Sequence, residues 1–338
     1  MPTRLINAPI GDHAPVEFWL HGFAVPGRVA DMARRAEAWG FTGRLLADSQ
    51  SLTADVWVEL CLAAAATSRL RVGPGVTNPV TRHLAVTASA AATLQVESGG
   101  RVSLGIGQGD SALSQIGLRA LRVHEFEQAI ETLQGLLRGE ETTLDGGATG
   151  RIRWLGTGTA AKVPVHVGAS GPRTIAAAAR HAEGVDLTVG AELERLAGRI
   201  AIAREAAPAG IEVGAYLNVA VDSDPTRARE LVRGSVATFA RFSAAVQGYE
   251  ADRHGEARAG FAQELTDEFI DAFAVAGPAQ HVRARLTEIA RLGVDRVVVV
   301  PGSLDSDPEA VIRSCDQLAP ELTNGPTASP SPTADSPG

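Results

Sequence analysis

The stretch Gly73-Pro-Gly-Val-Thr-Asn-Pro-Val-Thr-Arg-His83 closes an apolar run with two glycines, two prolines and several short polar side chains. Glycine lets a backbone approach a flat ring closely and adopt dihedrals that other residues resist. Such a segment suits a ledge beneath a planar cofactor or, standing alone, a tight turn into the next helix. A second cluster, Gly105-Ile-Gly-Gln-Gly-Asp-Ser111, has a spacing close to a dinucleotide fingerprint. A dinucleotide loop follows an early strand and is answered by an acid at the end of the next one, whereas this cluster follows the fourth of eight strands. We read it instead as a cofactor floor lined by Gly107 and Gly109, with Asp110 presented at its rim. Asp110 as a helix N-cap before Ala112 is an equal alternative.

A third segment, Gly168-Ala169-Ser170-Gly171-Pro172-Arg173-Thr174, runs from a strand into a helix N-terminus. Free backbone N–H groups, the helix dipole and Arg173 make it an anion site, most simply for a cofactor phosphate; the alternative is a capped helix with a solvated arginine. Strand two ends in Ala47-Asp48-Ser49-Gln50, which places an acid and two hydrogen-bonding side chains where they can meet a cofactor edge or a substrate. Asp110 and Asp48 are the candidate catalytic residues. His21, after strand one, and His83, after strand three, are titratable, but an unpaired histidine is more often structural. His166 lies within a buried strand. No HExxH, Walker lysine, GxSxG elbow or paired-cysteine motif occurs, so no metal site is expected.

Buried parallel strands read as short continuous apolar runs and helices as longer amphipathic ones. Eight such runs fall at residues 17–22, 43–48, 70–78, 102–107, 163–169, 185–190, 213–221 and 296–301. Helical stretches separate them at 26–39, 55–68, 84–98, 112–138, 173–182, 193–206 and 279–292. Pro26, Pro172 and Pro278 suit first helical turns, and Gly40, Gly99 and Gly293 suit helix ends. Eight such units predict an α/β fold of the (β/α)8 TIM-barrel type, with insertions after strands four and seven. Functional residues then gather at the strand C-termini, where all four segments above fall. The second insertion carries helical runs near 226–245 and 261–273, enough for a lid or an oligomer contact. Residues 1–321 form one domain on this reading. From Leu322 onward the tail, rich in Pro, Ser, Thr and Gly, is expected to be disordered.

A net charge of −8 gives no basic field for nucleic acid. No apolar stretch is long enough to span a bilayer, and the first 17 residues lack a leader pattern. A cytoplasmic protein is expected, with Cys61 and Cys315 as structural thiols.

At ADSQSLTADVWVEL (47–60), VGPGVTNPVTRH (72–83), SGGRVSLGIGQGDSAL (98–113) and VGASGPRTIAAAARHAEG (167–184) the sequence resembles the luciferase-like monooxygenase superfamily. The similarity is to its F420-dependent branch, around the methylenetetrahydromethanopterin reductases, and it runs from strand one to about Gly190. The resemblance implies a barrel that binds F420 or FMN over a non-proline cis peptide, here Gly75–Val76. It further implies that Asp48 contacts the cofactor, that Val76, Thr77 and Asn78 line the ring, and that Gly168 to Arg173 hold the phosphate. Asp110 takes the place where some relatives carry a glutamate acid. One F420-dependent subgroup has a histidine directly after the strand-two aspartate; here it is Ser49, so a sugar-phosphate dehydrogenase using that base is not expected.

Three functions follow. The first is an F420-dependent oxidoreductase acting on a small organic substrate. The second is a monooxygenase served with reduced FMN by a separate reductase, and the third is a non-catalytic flavin-binding barrel. A homodimer is expected through the helical surfaces near 55–68 and 84–98.

Overall fold

The computed structural model describes residues 15–157, 161–207, 210–242 and 265–323. Its strands are β1 (Glu17–Phe23), β2 (Gly43–Ala47), β3 (Arg71–Pro74), β4 (Leu104–Ile106), β5 (Thr142–Thr143), β6 (Thr149–Gly150), β7 (Val165–Ala169), β8 (Gly184–Leu187), β9 (Glu212–Val221), β10 (Ala274–Gly277) and β11 (Arg296–Val300). Eight of them run parallel in the order β3-β2-β1-β11-β9-β8-β7-β4. Isolated parallel bridges, Val72 to Val102 and Thr77 to Ile106, join the two ends of that order into a (β/α)8 barrel. Each of the eight apolar runs is one of these strands.

The strands are apolar throughout because both faces are covered, as expected of parallel sheets. In β11 all five residues are buried, Val297 and Val299 against the helices and Val298 and Val300 inside the barrel with Trp19, Leu45 and Tyr216. Gly40, Gly99 and Gly293 end helices with φ of 87°, 68° and 86°, the left-handed conformation that only glycine adopts at little cost.

Below the mouth, the barrel encloses a buried ion pair. Arg296 Nε donates to Asp186 Oδ1 at 2.8 Å, its second guanidinium edge also meets Asp186, and Ser103 Oγ accepts from Nη1 at 3.3 Å. The guanidinium lies 4.9 Å from the Trp19 ring centroid.

The structure corrects several sequence expectations. The run 112–138 is two helices, Asp110–Ser114 and Val123–Leu137, with Gly117 at φ 72° between them. The first helix of the barrel begins at Val29, because Gly27 (φ 76°) holds Pro26 in a turn. The N-cap position ahead of Ala112 is Gly109, in the left-handed region at φ 95°, and Asp110 is the first residue of that helix. Cys61 is exposed rather than packed inside, alongside exposed Val58 and Leu62. The last helix, Pro308–Thr323, takes in Leu322 and Thr323, and the remainder of the expected tail lies outside the described residues. The second insertion supplies helices Pro225–Phe242 and Asp267–Phe273, the latter leading into β10. Its residues 243–264 lie outside the description. β10 pairs with the upper half of β9, where β8 has already ended, and so fills an edge that the run lengths did not reveal.

Candidate functional site

After Val72 the chain leaves its pairing with β4 and returns to it at Thr77, while Gly73 and Pro74 stay paired with β2. Between the two bridges β3 advances five residues, Val72 to Thr77, while β4 advances four, Val102 to Ile106. That extra residue makes a β-bulge, a device that turns backbone and side chains out of register beside functional sites. Glycine is required on the way: a Cβ at Gly73 would lie 1.7 Å from the Ser103 carbonyl oxygen, and one at Gly75 would lie 2.6 Å from both Leu45 Cβ and the Tyr216 hydroxyl. The Gly75–Val76 peptide is cis.

The backbone of Gly75 and Thr77 is hydrogen-bonded on both its amides and its carbonyls. Gly75 N donates to Leu46 O at 2.7 Å, and Gly75 O accepts from His21 Nε2 at 2.9 Å. Thr77 N donates to Gly105 O at 2.9 Å, and Gly107 N to Thr77 O at 2.8 Å. Thr77 Oγ1 donates to Asp48 Oδ2 at 2.7 Å.

The Val76 side chain explains glycines that the sequence left ambiguous. A Cβ at Gly105, Gly107 or Gly168 would come within 3.2, 2.9 and 3.1 Å of its methyl groups. These glycines seat Val76 in a cradle spanning β4 and β7. Gly107 and Gly168 therefore make room for Val76.

Asp48 is 3% exposed and accepts three hydrogen bonds. Oδ2 accepts from Thr77 and, at 2.7 Å, from Arg82 Nη1; Oδ1 accepts from Gln50 Nε2 at 2.7 Å. Arg82 reaches on to Asp55 at 2.7 Å, and Asp55 caps the helix Val56–Ala65. Although burial opposes its charge, the carboxylates of Asp48 and Asp55 hold the Arg82 guanidinium above its ordinary value. Asp48 thus ties the ends of β2 and β3 together. Asn78 Oδ1 accepts from Val80 N (3.0 Å) and Thr81 N (2.9 Å), which leaves its Nδ2 as the free donor. Asn78 Nδ2 and Ser49 Oγ are both buried without a partner among the described residues. Buried donors in that state are what a ligand satisfies.

Across the mouth, the helix Pro172–His181 starts at Gly171 with proline in its first turn and no side-chain cap. Its first bonded amide is that of Ile175, to Gly171 O at 3.0 Å, so the N–H groups of Arg173 and Thr174 stay outside the helix ladder. Arg173 is exposed, and Thr174 Oγ1 donates to Gln108 Oε1 at 3.0 Å. Gln108 Nε2 in turn donates to Leu121 O at 2.7 Å, locking the loop after β4 to this helix. Ala169 ends β7, with Ser170 between it and the cap. Asp110 opens the short helix on the same rim; its side chain lies outside the description.

Sequence reasoning undervalued His21, Tyr216 and Phe239. Tyr216 is buried with its hydroxyl against Gly75, and burial pushes its phenol well above the ordinary range. Phe239, from the inserted helix Pro225–Phe242, stacks tilted over Tyr216 at 6.1 Å and covers that side of the barrel. Only the bulge and the insertion bring them to the site. His83 instead accepts from Ala85 N at 3.2 Å, as a helix cap.

Burial, opposed by the Gly75 hydrogen bond and aided by nearby Arg44, lowers His21 to about 4, and burial also lowers His166, which faces Arg296, Arg71 and Glu212. The unfolded chain takes up these protons near 6.5 while the native state resists, so stability is complete above that pH and falls as pH drops from 6.5 toward 4. His21 alone accounts for about 3 kcal/mol of that loss, at about 1.4 kcal/mol per unit. Urea midpoints recorded at pH 7, 6, 5 and 4.5 check this; a flat profile over that window contradicts it.

The luciferase-like monooxygenase family profile matches residues 9–296. The 5,10-methylenetetrahydromethanopterin reductase of Methanolobus tindarius is 29% identical over 297 residues, covering 80% of this chain and 89% of that one. The enzyme of the same name from Methanopyrus kandleri is 30% identical over 310 residues, 81% and 88% of the two chains. A solved structure, the coenzyme F420 dependent tetrahydromethanopterin reductase of Methanopyrus kandleri, superposes with a TM-score of 0.75 at 25% identity, covering 91% of this chain and all of the other. With the bulge, the glycine cradle and the uncapped helix on one rim of an eight-stranded barrel, the chain belongs to the luciferase-like monooxygenase family.

Proposed function

We propose that this chain is an F420-dependent oxidoreductase that exchanges hydride between the deazaflavin C5 and a small organic substrate. The observation that carries the reading is that the bulge at 73–78 and the uncapped helix N-terminus at Gly171 share one mouth, joined through Val76 against Gly168. A planar ring on the first and a phosphate at the second match the two ends of such a cofactor. Bound there, the deazaflavin supplies the hydride chemistry.

The chain's residues do the rest. Gly75, Val76, Thr77 and Asn78 form the ledge, kept in place by Asp48. Ser49 Oγ and Asn78 Nδ2 offer the free polar contacts. Gly168, Ala169, Ser170, Gly171, Pro172 and Arg173 hold the phosphate, and Gly107 and Gly109 shape the loop that presents Asp110 as proton donor. Phe239 and the inserted helix exclude water on the β9 side.

Ultrafiltration of the purified protein with F420 and with FMN, read by absorbance, tests this. Retention of F420 is expected; retention of FMN alone would assign the chain to the flavin-dependent monooxygenases, and retention of neither to a non-catalytic barrel. Among the described residues no helix is long and apolar enough to cross a membrane. Val58, Leu62, Val86 and Val96, each 46–60% exposed, lie on the helices Val56–Ala65 and Leu84–Glu97, and we assign them to a homodimer contact. A monomer by analytical ultracentrifugation at micromolar concentration would exclude it.

A further inference from the structure

We propose that His21 is a positioning residue for the cofactor ledge, its Nε2–H fixing the Gly75 carbonyl; this rests on reading residues 75–78 as that ledge. His21 follows Trp19 on the inward face of β1, one alternation nearer the mouth. Its Nε2 stands 2.9 Å from Gly75 O, a contact between residues 54 apart in sequence. A carbonyl can only accept, so the proton sits on Nε2 and Nδ1 carries the lone pair. Nδ1 is buried without a partner among the described residues, which leaves the imidazole a single polar task.

The ring cannot turn away. Phe23 meets it edge-on at 5.7 Å and 81°, and Tyr216 at 5.8 Å and 67°. Gly75 has no side chain of its own to hold it, and its α-carbon is closed in by Leu45 and the Tyr216 hydroxyl. Gly75 N is tied to Leu46, and the hydrogen bond to the Gly75 carbonyl comes from His21. Burial keeps the imidazole uncharged, and among the groups facing it Arg44 on β2 adds a field that disfavours a second positive charge while Tyr216 stays a neutral phenol. The donor geometry is therefore constant throughout the physiological range.

Two measurements test the assignment. In the cofactor-free protein, nitrogen-detected histidine spectra are expected to show His21 as the Nε2–H tautomer, unprotonated until the pH approaches about 4. His21→Leu removes the donor, whereas the amide of His21→Gln reaches the same carbonyl. F420 dissociation constants, followed by cofactor fluorescence without turnover, should rise about tenfold for His21→Leu, the equivalent of one lost hydrogen bond, and be largely restored in His21→Gln. A proton on Nδ1, titration near 6.5, or a folded His21→Leu protein that binds F420 as tightly as wild type overturns the proposal. The spectra need no cofactor, so failure of the wild-type protein to bind F420 counts against the proposed function and leaves the clamp to be decided by the tautomer.

Discussion

Asp48→Ala is expected to cost the protein about 3 kcal/mol of stability and to weaken F420 retention at least about tenfold, because it strips acceptors from three donors at once. Thr77 Oγ1 and Arg82 Nη1 both lose Oδ2, and Gln50 loses Oδ1. Thr77 sits where the bulge rejoins the barrel, so the loss is felt on the ledge itself. Arg82 keeps Asp55, which limits the charge imbalance. Asp48→Asn separates geometry from charge: its amide oxygen can replace Oδ2 and its NH2 can face Gln50 once that side chain turns over. It should retain most of the cofactor affinity. Chemical denaturation and fluorescence titration of both variants check this. Equal affinities for wild type and Asp48→Ala would show that the tie between β2 and β3 does not shape the ledge.

The second large effect lies deeper. Asp186 and Arg296 are 0% and 2% exposed in their side chains, and the pair fills the barrel beside Trp19. Asp186→Leu leaves a guanidinium buried without its counter-ion, and Arg296→Met leaves the carboxylate likewise. Each single variant is expected to lose about 3–5 kcal/mol. The double variant should recover most of that loss, since apolar residues of similar volume often replace a buried pair at little cost. A double-mutant cycle in urea measures the coupling. Additive losses in the double variant would mean that the two charges act independently, contrary to the bidentate geometry. This pair was invisible at the sequence level, because 110 residues separate its partners and only barrel closure makes them face each other.

The eight strands were legible because burial on both faces leaves a continuous apolar run, a local pattern that any window of the chain displays. Helix ends were legible where glycine was needed for a left-handed turn, as at Gly40, Gly99 and Gly293. The helix spanning 112–138 was misread because amphipathic periodicity continues on both sides of Gly117, whose left-handed backbone breaks it, and the bond from Gln108 to Leu121 holds the turned segment. β10 escaped notice for a related reason: Ala274–Gly277 is a short small-residue run that becomes a strand only because β9 outlasts β8.

At the site, residue types and positions along the chain placed the segment after β3, the loop after β4 and the helix start after β7 at one end of the barrel, since strand C-termini must share a face. That Gly105, Gly107 and Gly168 make room for Val76 was decided only by tertiary contact, because a missing Cβ has no meaning until its neighbour is known. The same holds for the bonds of Asp48 to Thr77, Gln50 and Arg82, which exist only in the folded chain. His21 looked like one more isolated histidine. Its role exists only once β1 and the bulge after β3 lie side by side, as hydrogen-bond direction and burial are properties of the folded neighbourhood and not of the residue.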